Sequence, residues 1–77
     1  RKLGFRDQHD LDRLPAEIAR LEAAIAALDD RLADPGLYSR DPAGFGKLTA
    51  EADALRGRLA AAEERWLEVA ELAESLG

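Results

Sequence analysis

The chain has 77 residues and a net charge of −5, which allows one small domain but no large buried pocket. It contains no cysteine or methionine, which excludes disulfides and thiolate metal sites, and the missing initiator Met leads us to expect a domain cut from a longer protein. Charged residues make up 35% and aromatic residues only 5%, a composition typical of long helices rather than of a sheet. Because no apolar stretch approaches the roughly 20 residues of a bilayer crossing, we expect a cytoplasmic protein without membrane contact.

The first 14 residues form a basic opening segment, and within residues 1–9 the three basic residues Arg1, Lys2 and Arg6 outnumber the single acidic residue Asp7. Pro15 follows, and a proline inside a helix removes one backbone hydrogen bond at a cost of roughly 3 kcal/mol. We therefore predict a short, separate helical turn over residues 5–13 and a long first helix over residues 15–33.

Apolar residues along this first helix are spaced alternately by three and four, which is the heptad pattern of a coiled coil. They are Leu11, Leu14, Ile18, Leu21, Ile25, Leu28 and Leu32. The pattern resumes in a second predicted helix, residues 42–76, at Phe45, Leu48, Ala52, Leu55, Leu59, Ala62, Trp66, Val69, Ala73 and Leu76. Residues 34–41 form the connector, because Pro35 and Gly36 end the first helix and Asp41-Pro42 supplies an N-cap and a first helical position.

Two heptad helices joined by so short a connector can pack antiparallel within one chain. The sequence therefore predicts an all-α fold, an intramolecular antiparallel two-helix coiled-coil hairpin with a short helical N-terminal segment, in a monomeric protein. The predicted register opposes Leu14 to Trp66, Leu21 to Leu59 and Leu28 to Ala52. It also predicts three flanking ion pairs, Asp10 with Arg65, Glu17 with Arg58 and Glu22 with Arg56.

Few residues are candidates for catalysis or for binding a ligand. The segment 44–49 departs from a phosphate-binding loop in its glycine spacing and favours a helix start, and His9 has no second histidine or cysteine with which to share a metal. Leu37 and Tyr38 either cap the open end of the seam or contact a partner. Trp66 either packs in the core or stacks on a nucleobase.

Among the basic residues that the predicted interhelical ion pairs leave over, five lie toward the base of the hairpin. They are Arg1, Lys2, Arg6, Arg13 and Arg20. They either contact phosphates or are solvated charges that offset acidic neighbours, and physical arguments alone leave both interpretations open. The net negative charge by itself disfavours nucleic acid as a partner.

The opening of the chain resembles the pattern that begins the C-terminal domain of Uup-type ABC-F ATPases. That pattern is K-L-S-Y-K-E-Q-R-E-L-E-x-L-P, and the chain has Lys2-Leu3-Gly4-Phe5-Arg6-Asp7-Gln8-His9-Asp10-Leu11-Asp12-Arg13-Leu14-Pro15. Two later stretches also resemble the family, Leu32-Ala33-Asp34-Pro35 and Ala62-Glu63-Glu64-Arg65-Trp66-Leu67-Glu68. The resemblance covers nearly the whole chain.

The resemblance implies a coiled-coil domain that follows two ATP-binding cassettes in a cytoplasmic bacterial protein connected with ribosomes and translation. It implies a DNA-binding appendage that contacts phosphates of duplex DNA, or of structured RNA, and it makes Lys2, Arg6 and Arg13 the first candidates for that contact. ATP and Mg would bind in the cassettes, so this chain would hold no cofactor and no catalytic site. The alternative is a structural or protein-interaction arm that positions the cassettes without nucleic-acid affinity.

Overall fold

Two long antiparallel helices make up most of the molecule. A computed structural model describes residues 2–77, in which the helices are α1 (Phe5–Leu32), α2 (Leu37–Arg40) and α3 (Pro42–Leu76). The described part measures 58 × 15 × 15 Å, and α1 packs along α3. No strand occurs within residues 2–77. The predicted all-α, antiparallel two-helix hairpin is confirmed.

Helix α1 begins earlier than the sequence predicts. The N-terminal residues are helical as expected, but they are continuous with the long helix, which runs from Phe5 to Leu32 with Pro15 inside it. The predicted break before Pro15 is therefore wrong. Proline removes the hydrogen bond to the carbonyl of Leu11 and crowds that carbonyl, but its fixed φ is compatible with a helix. Burial of Leu14, which is 1% exposed, favours a continuous helix over that loss.

The connector contains a helical turn that the sequence does not predict, and its two ends are capped by aspartates. Asp34 accepts hydrogen bonds from the Gly36 backbone N–H at 3.0 Å and from Arg40 at 2.7 Å. The Arg40 guanidinium and then the Gly36 N–H hold the pKa of Asp34 below its ordinary value. Helix α3 begins as predicted, because the Asp41 side chain accepts from the Gly44 N–H at 3.0 Å.

The seam between α1 and α3 contains two clusters of buried residues. The cluster nearer the base contains Leu14, Leu21 and Ala62, and the one nearer the connector contains Leu28, Leu48 and Ala52. An alanine lies among leucines in each cluster, and so small a side chain allows the two helices to approach closely there. Leu28 beside Ala52 agrees with the predicted register. Leu37 packs on the second cluster and closes the seam at the tip, as its capping interpretation predicts.

Trp66 is not the core residue that the heptad pattern predicts. Its side chain is 37% exposed, and it lies at the edge of the seam beside Pro15 and Ile18. The buried cluster that contains Leu14 contains Ala62 and Leu21. The physical reason is size, because α3 turns the small residues Ala62 and Val69 toward α1 and leaves the bulky indole at the flank.

One of the three predicted flanking ion pairs forms. Arg65 donates to Asp10 at 3.0 Å, as predicted. The predictions of the other two pairs, Glu17 with Arg58 and Glu22 with Arg56, are wrong. Glu17 binds Arg13 of its own helix at 2.8 Å, and Arg56 binds Asp29 at 2.6 Å instead of Glu22. Contacts three or four residues apart on one helix form readily, and they compete with contacts between helices.

Within residues 2–77 no helix has both the length and the apolar character needed to cross a membrane.

Truncating a buried leucine in the cluster nearer the base tests this packing. We expect Leu14→Ala to lower the free energy of unfolding by about 2–5 kcal/mol, because it removes a fully buried side chain next to Ala62. Leu67→Ala, at a position 52% exposed, is the control and should cost less than about 1 kcal/mol. Urea denaturation followed by circular dichroism measures both, and equal losses would contradict the assigned seam.

Candidate nucleic-acid interface

Basic residues gather on one side of the hairpin. Helical residues seven positions apart lie almost in line along a helix, so Arg6, Arg13 and Arg20 form one row on α1. The same spacing aligns Arg58 with Arg65 on α3. The two rows adjoin, because Arg13, Arg58 and Arg65 line one groove between the helices.

The row extends toward the tip. Arg31 lies two heptads beyond Glu17, which lines the same groove, and Lys47 lies three helical turns before Arg58. We call the whole set the cationic face: Arg6, Arg13, Arg20 and Arg31 on α1, with Lys47, Arg58 and Arg65 on α3. Five carboxylates lie on or against this side, and four of them are bound to its arginines. Asp10 and Glu17 bind Arg13, and Asp7, Asp10 and Glu68 bind Arg65. The fifth is Glu51.

The structure brings together three of the residues that the sequence selects for phosphate contact. Arg6, Arg13 and Arg20 are exposed along one row of α1, and Arg6 and Arg20 lie about 21 Å apart along the axis. Lys2 is exposed and precedes α1. Arg1 lies outside the described residues.

Arg13 is already engaged by carboxylates. It donates to Asp10 at 3.2 Å and to Glu17 at 2.8 Å, and Glu17 followed by Asp10 raises the pKa of Arg13. From the sequence alone, Arg13 is left over once the pairs between helices are assigned. Arg13 therefore offers less free charge to a phosphate than Arg6 or Arg20, which form no ion pair within residues 2–77.

Arg58 is the residue that the sequence reasoning missed. It is assigned there to an ion pair with Glu17, but in the described part of the chain it pairs with no carboxylate and is exposed beside Arg13. Its spacing of seven residues from Arg65 is the signal that places it on the cationic face.

The opposite side of the hairpin carries mainly carboxylates. We call it the acidic face: Asp12, Glu22 and Asp29 on α1, with Asp53, Glu63 and Glu74 on α3. The arginine in these rows, Arg56, is bound to Asp29 at 2.6 Å and to Asp53 at 3.7 Å. The net charge of −5 therefore conceals two sides of different sign.

The remaining candidates take no part in the cationic face. His9 is exposed, and within residues 2–77 no group of side chains has the composition of a metal site. The segment 44–49 is helical, with the Thr49 hydroxyl donating to the Phe45 carbonyl at 2.9 Å. Tyr38 lies edge-on to Phe45 with ring centroids 5.3 Å apart, so it packs at the tip.

Residues 2–71 match the family described as ABC transporter C-terminal domain. The chain belongs to this family. It is 47% identical over 75 residues to the ATP-binding protein Uup of Caulobacter vibrioides, a match that covers 97% of this chain and 12% of the relative. The resemblance to the C-terminal domain of Uup-type proteins is thereby confirmed. No solved structure matches the chain.

The matched region of this ABC transporter C-terminal domain includes an ion-pair network that holds the base of the hairpin together. Arg65 donates to Asp7 at 2.7 Å, to Asp10 at 3.0 Å and to Glu68 at 2.6 Å. The hydrogen bond from Arg65 lowers the pKa of Asp10, with Arg13 acting in the same direction and burial opposing it. The hydrogen bond to Asp7, followed in size by the one to Asp10, raises the pKa of Arg65, so this side chain stays charged.

This network predicts an acid-sensitive contribution to stability. The folded-state pKa of Asp10 is below its unfolded value of roughly 4, so its contribution is complete above that pH and is lost as the pH falls through the folded value. We expect Asp10→Asn to lower the melting temperature at pH 7. The difference between the two proteins should shrink as the pH falls toward 2. A difference that does not vary between pH 2 and 7 would contradict the role given to the Asp10–Arg65 pair.

Proposed function

We propose that this ABC transporter C-terminal domain is a nucleic-acid-binding appendage of a larger ATP-binding protein. It contacts the phosphates of duplex DNA, or of structured RNA, without reading base sequence. The observation that carries the proposal is the cationic face, because phosphate binding depends on basic side chains that displace counterions. The match to an ATP-binding protein supports the link to a larger ATP-binding protein. The cytoplasmic, ribosome-linked setting is part of this proposal and comes from the resemblance to Uup-type proteins.

Arg6, Arg20 and Arg58 are the main contacts in this proposal, with Arg31, Lys47 and Lys2 extending the surface. All are exposed, and none is held by a carboxylate within residues 2–77. Arg13 joins them when a phosphate displaces Glu17. Arg65 serves chiefly to hold the base of the hairpin.

The composition of the cationic face favours a duplex or a folded RNA over an unpaired strand. Single-strand binding usually relies on aromatic side chains on which bases stack. The aromatic residues within residues 2–77 are Phe5, Tyr38, Phe45 and Trp66, and none belongs to the rows that form this face. Exposed arginines in line along a helix suit the regular phosphates of a duplex.

ATP binding and hydrolysis belong, in this proposal, to the part of the protein that the chain does not include. The chain spans 12% of the length of its curated relative, which is named as an ATP-binding protein. ATP and Mg are accordingly ligands of that other part. The domain itself acts as a monomer, since its own seam uses the apolar heptad positions.

A salt titration tests the proposal. With three to five phosphate contacts, affinity for a short DNA duplex should fall by roughly 1.5 to 3 decades between about 50 and 200 mM salt. Fluorescence anisotropy of a labelled duplex, run in parallel with a folded RNA, measures this. Absence of binding at low salt, or binding that salt does not weaken, would overturn the proposal.

A matched pair of variants locates the contact. We expect Arg20→Gln to weaken binding about equally for different sequences and to reduce the salt slope by about 1, because one phosphate contact is lost. Arg40→Gln removes the same charge at the tip, where Arg40 is bound to Asp34 at 2.7 Å, and should leave the slope unchanged. Equal effects of the two variants would show that binding is not confined to the cationic face.

A further inference from the structure

A shallow apolar groove lies between the helices on the side away from the cationic face. It is lined by Pro15 and Ile18 from α1 and by Glu63, Trp66 and Leu67 from α3. Trp66 is 37% exposed and Leu67 is 52% exposed, although both are large apolar residues. Nothing within residues 2–77 covers them, and the hairpin itself does not need them there, since Ala62 and Val69 fill the neighbouring seam positions.

The charge around this groove is negative. Glu63 forms part of its wall, and Glu22 lies one heptad beyond Pro15 in the same row of α1. Both glutamates are exposed and form no ion pair within residues 2–77. The nearby Arg56 is neutralised by Asp29 and Asp53. Phosphates would therefore be repelled here, while a cationic ligand would be attracted.

The exposed indole adds a second preference for positive charge. The face of a tryptophan ring attracts lysine ammonium and arginine guanidinium groups, and it does so best among the aromatic side chains. Trp66 and Glu63 lie three residues apart on the same helix, so both can act on one cation. Trp66 with Ile18 and Leu67 also offers apolar surface.

We infer that this groove binds a basic amphipathic helix of a partner protein. The apolar residues of the partner helix enter between Pro15 and Trp66, and its lysines or arginines pair with Glu22 and Glu63. This mode of recognition places one face of a helix in a hydrophobic groove with charged residues at its rim. The inference does not rest on nucleic-acid binding, because it concerns the opposite face of the hairpin, and both ligands can be bound at once.

Trp66 reports occupancy directly, because it is the single tryptophan of the chain. The probe is a helical peptide of about 15 residues made of leucine and lysine, without tryptophan. Its control is the same peptide with every lysine replaced by glutamate. We expect the lysine peptide to shift the Trp66 emission to shorter wavelength in a saturable manner, and the glutamate peptide to leave it unchanged.

Two variants of the protein separate specific binding from general attraction. Glu63→Lys should weaken binding of the lysine peptide about 3- to 10-fold, since one attraction is replaced by a repulsion. Glu51→Lys makes the same charge change on the cationic face and should alter binding less than about twofold. Leu67→Ala, which removes an exposed side chain of the groove, should also weaken binding while leaving the helix content intact.

Three results would overturn the inference: no emission shift with the lysine peptide, an equal shift with the glutamate peptide, or equal losses in Glu63→Lys and Glu51→Lys. A shift of Trp66 emission by a short DNA duplex in place of the lysine peptide would also overturn it, and would assign the groove to nucleic acid.

Discussion

The leucine, isoleucine and alanine seam between α1 and α3 is the contact on which the rest of the structure depends. Its interlocking clusters fix which residue of α1 faces which residue of α3, because a shift of one helix would oppose leucine to leucine where alanine now provides space. That register places Asp10 beside Arg65 on one flank and Asp29 beside Arg56 on the other. Surface ion pairs contribute little stability, so they adjust to the seam rather than determine it.

The seam also determines which charged residues lie on the cationic face and which lie on the acidic face. From Leu11 onward the seam positions carry apolar residues, and the charged residues fall in the remaining rows, each confined to one side of a rod about 15 Å thick. At physiological ionic strength the Debye length is about 8 Å, so the field of one side is largely screened at the other. A domain with a net charge of −5 can therefore present one side that attracts anions and another that attracts cations. Net charge alone is a poor guide to partners in so thin a molecule.

Most of the fold is predictable from the sequence, because its determinants are local and periodic. The heptad spacing gives the hairpin and the pairing of Leu28 with Ala52, and Asp41-Pro42 marks the start of α3. The continuity of α1 through Pro15 is harder to predict from the sequence. It depends on tertiary packing of Leu14 and on the contacts of Arg65 with Asp7 and Asp10, which offset the lost hydrogen bond.

The candidate sites are predicted less well, for reasons of geometry. A heptad pattern counts Trp66 as a core residue, whereas the space available beside Ala62 and Val69 leaves the indole at the edge. Counting ion pairs only between helices misassigns Arg13 and Arg58, because short contacts within one helix compete for the same carboxylates. The rows of charged residues that form the cationic face and the acidic face can be assigned only once the register of the two helices is known.

The doubled-back arrangement of the chain is tested most directly by a distance between its two arms. The protein has no native cysteine, so spin labels can be attached at Gln8→Cys and Glu71→Cys, both exposed positions near the base. For the antiparallel hairpin we expect a narrow distance distribution centred at about 15–30 Å in samples diluted with unlabelled protein, since packed helices lie about 8–10 Å apart between their axes. An unbent helix would separate the labels by about 95 Å, and distances of that order would contradict the account.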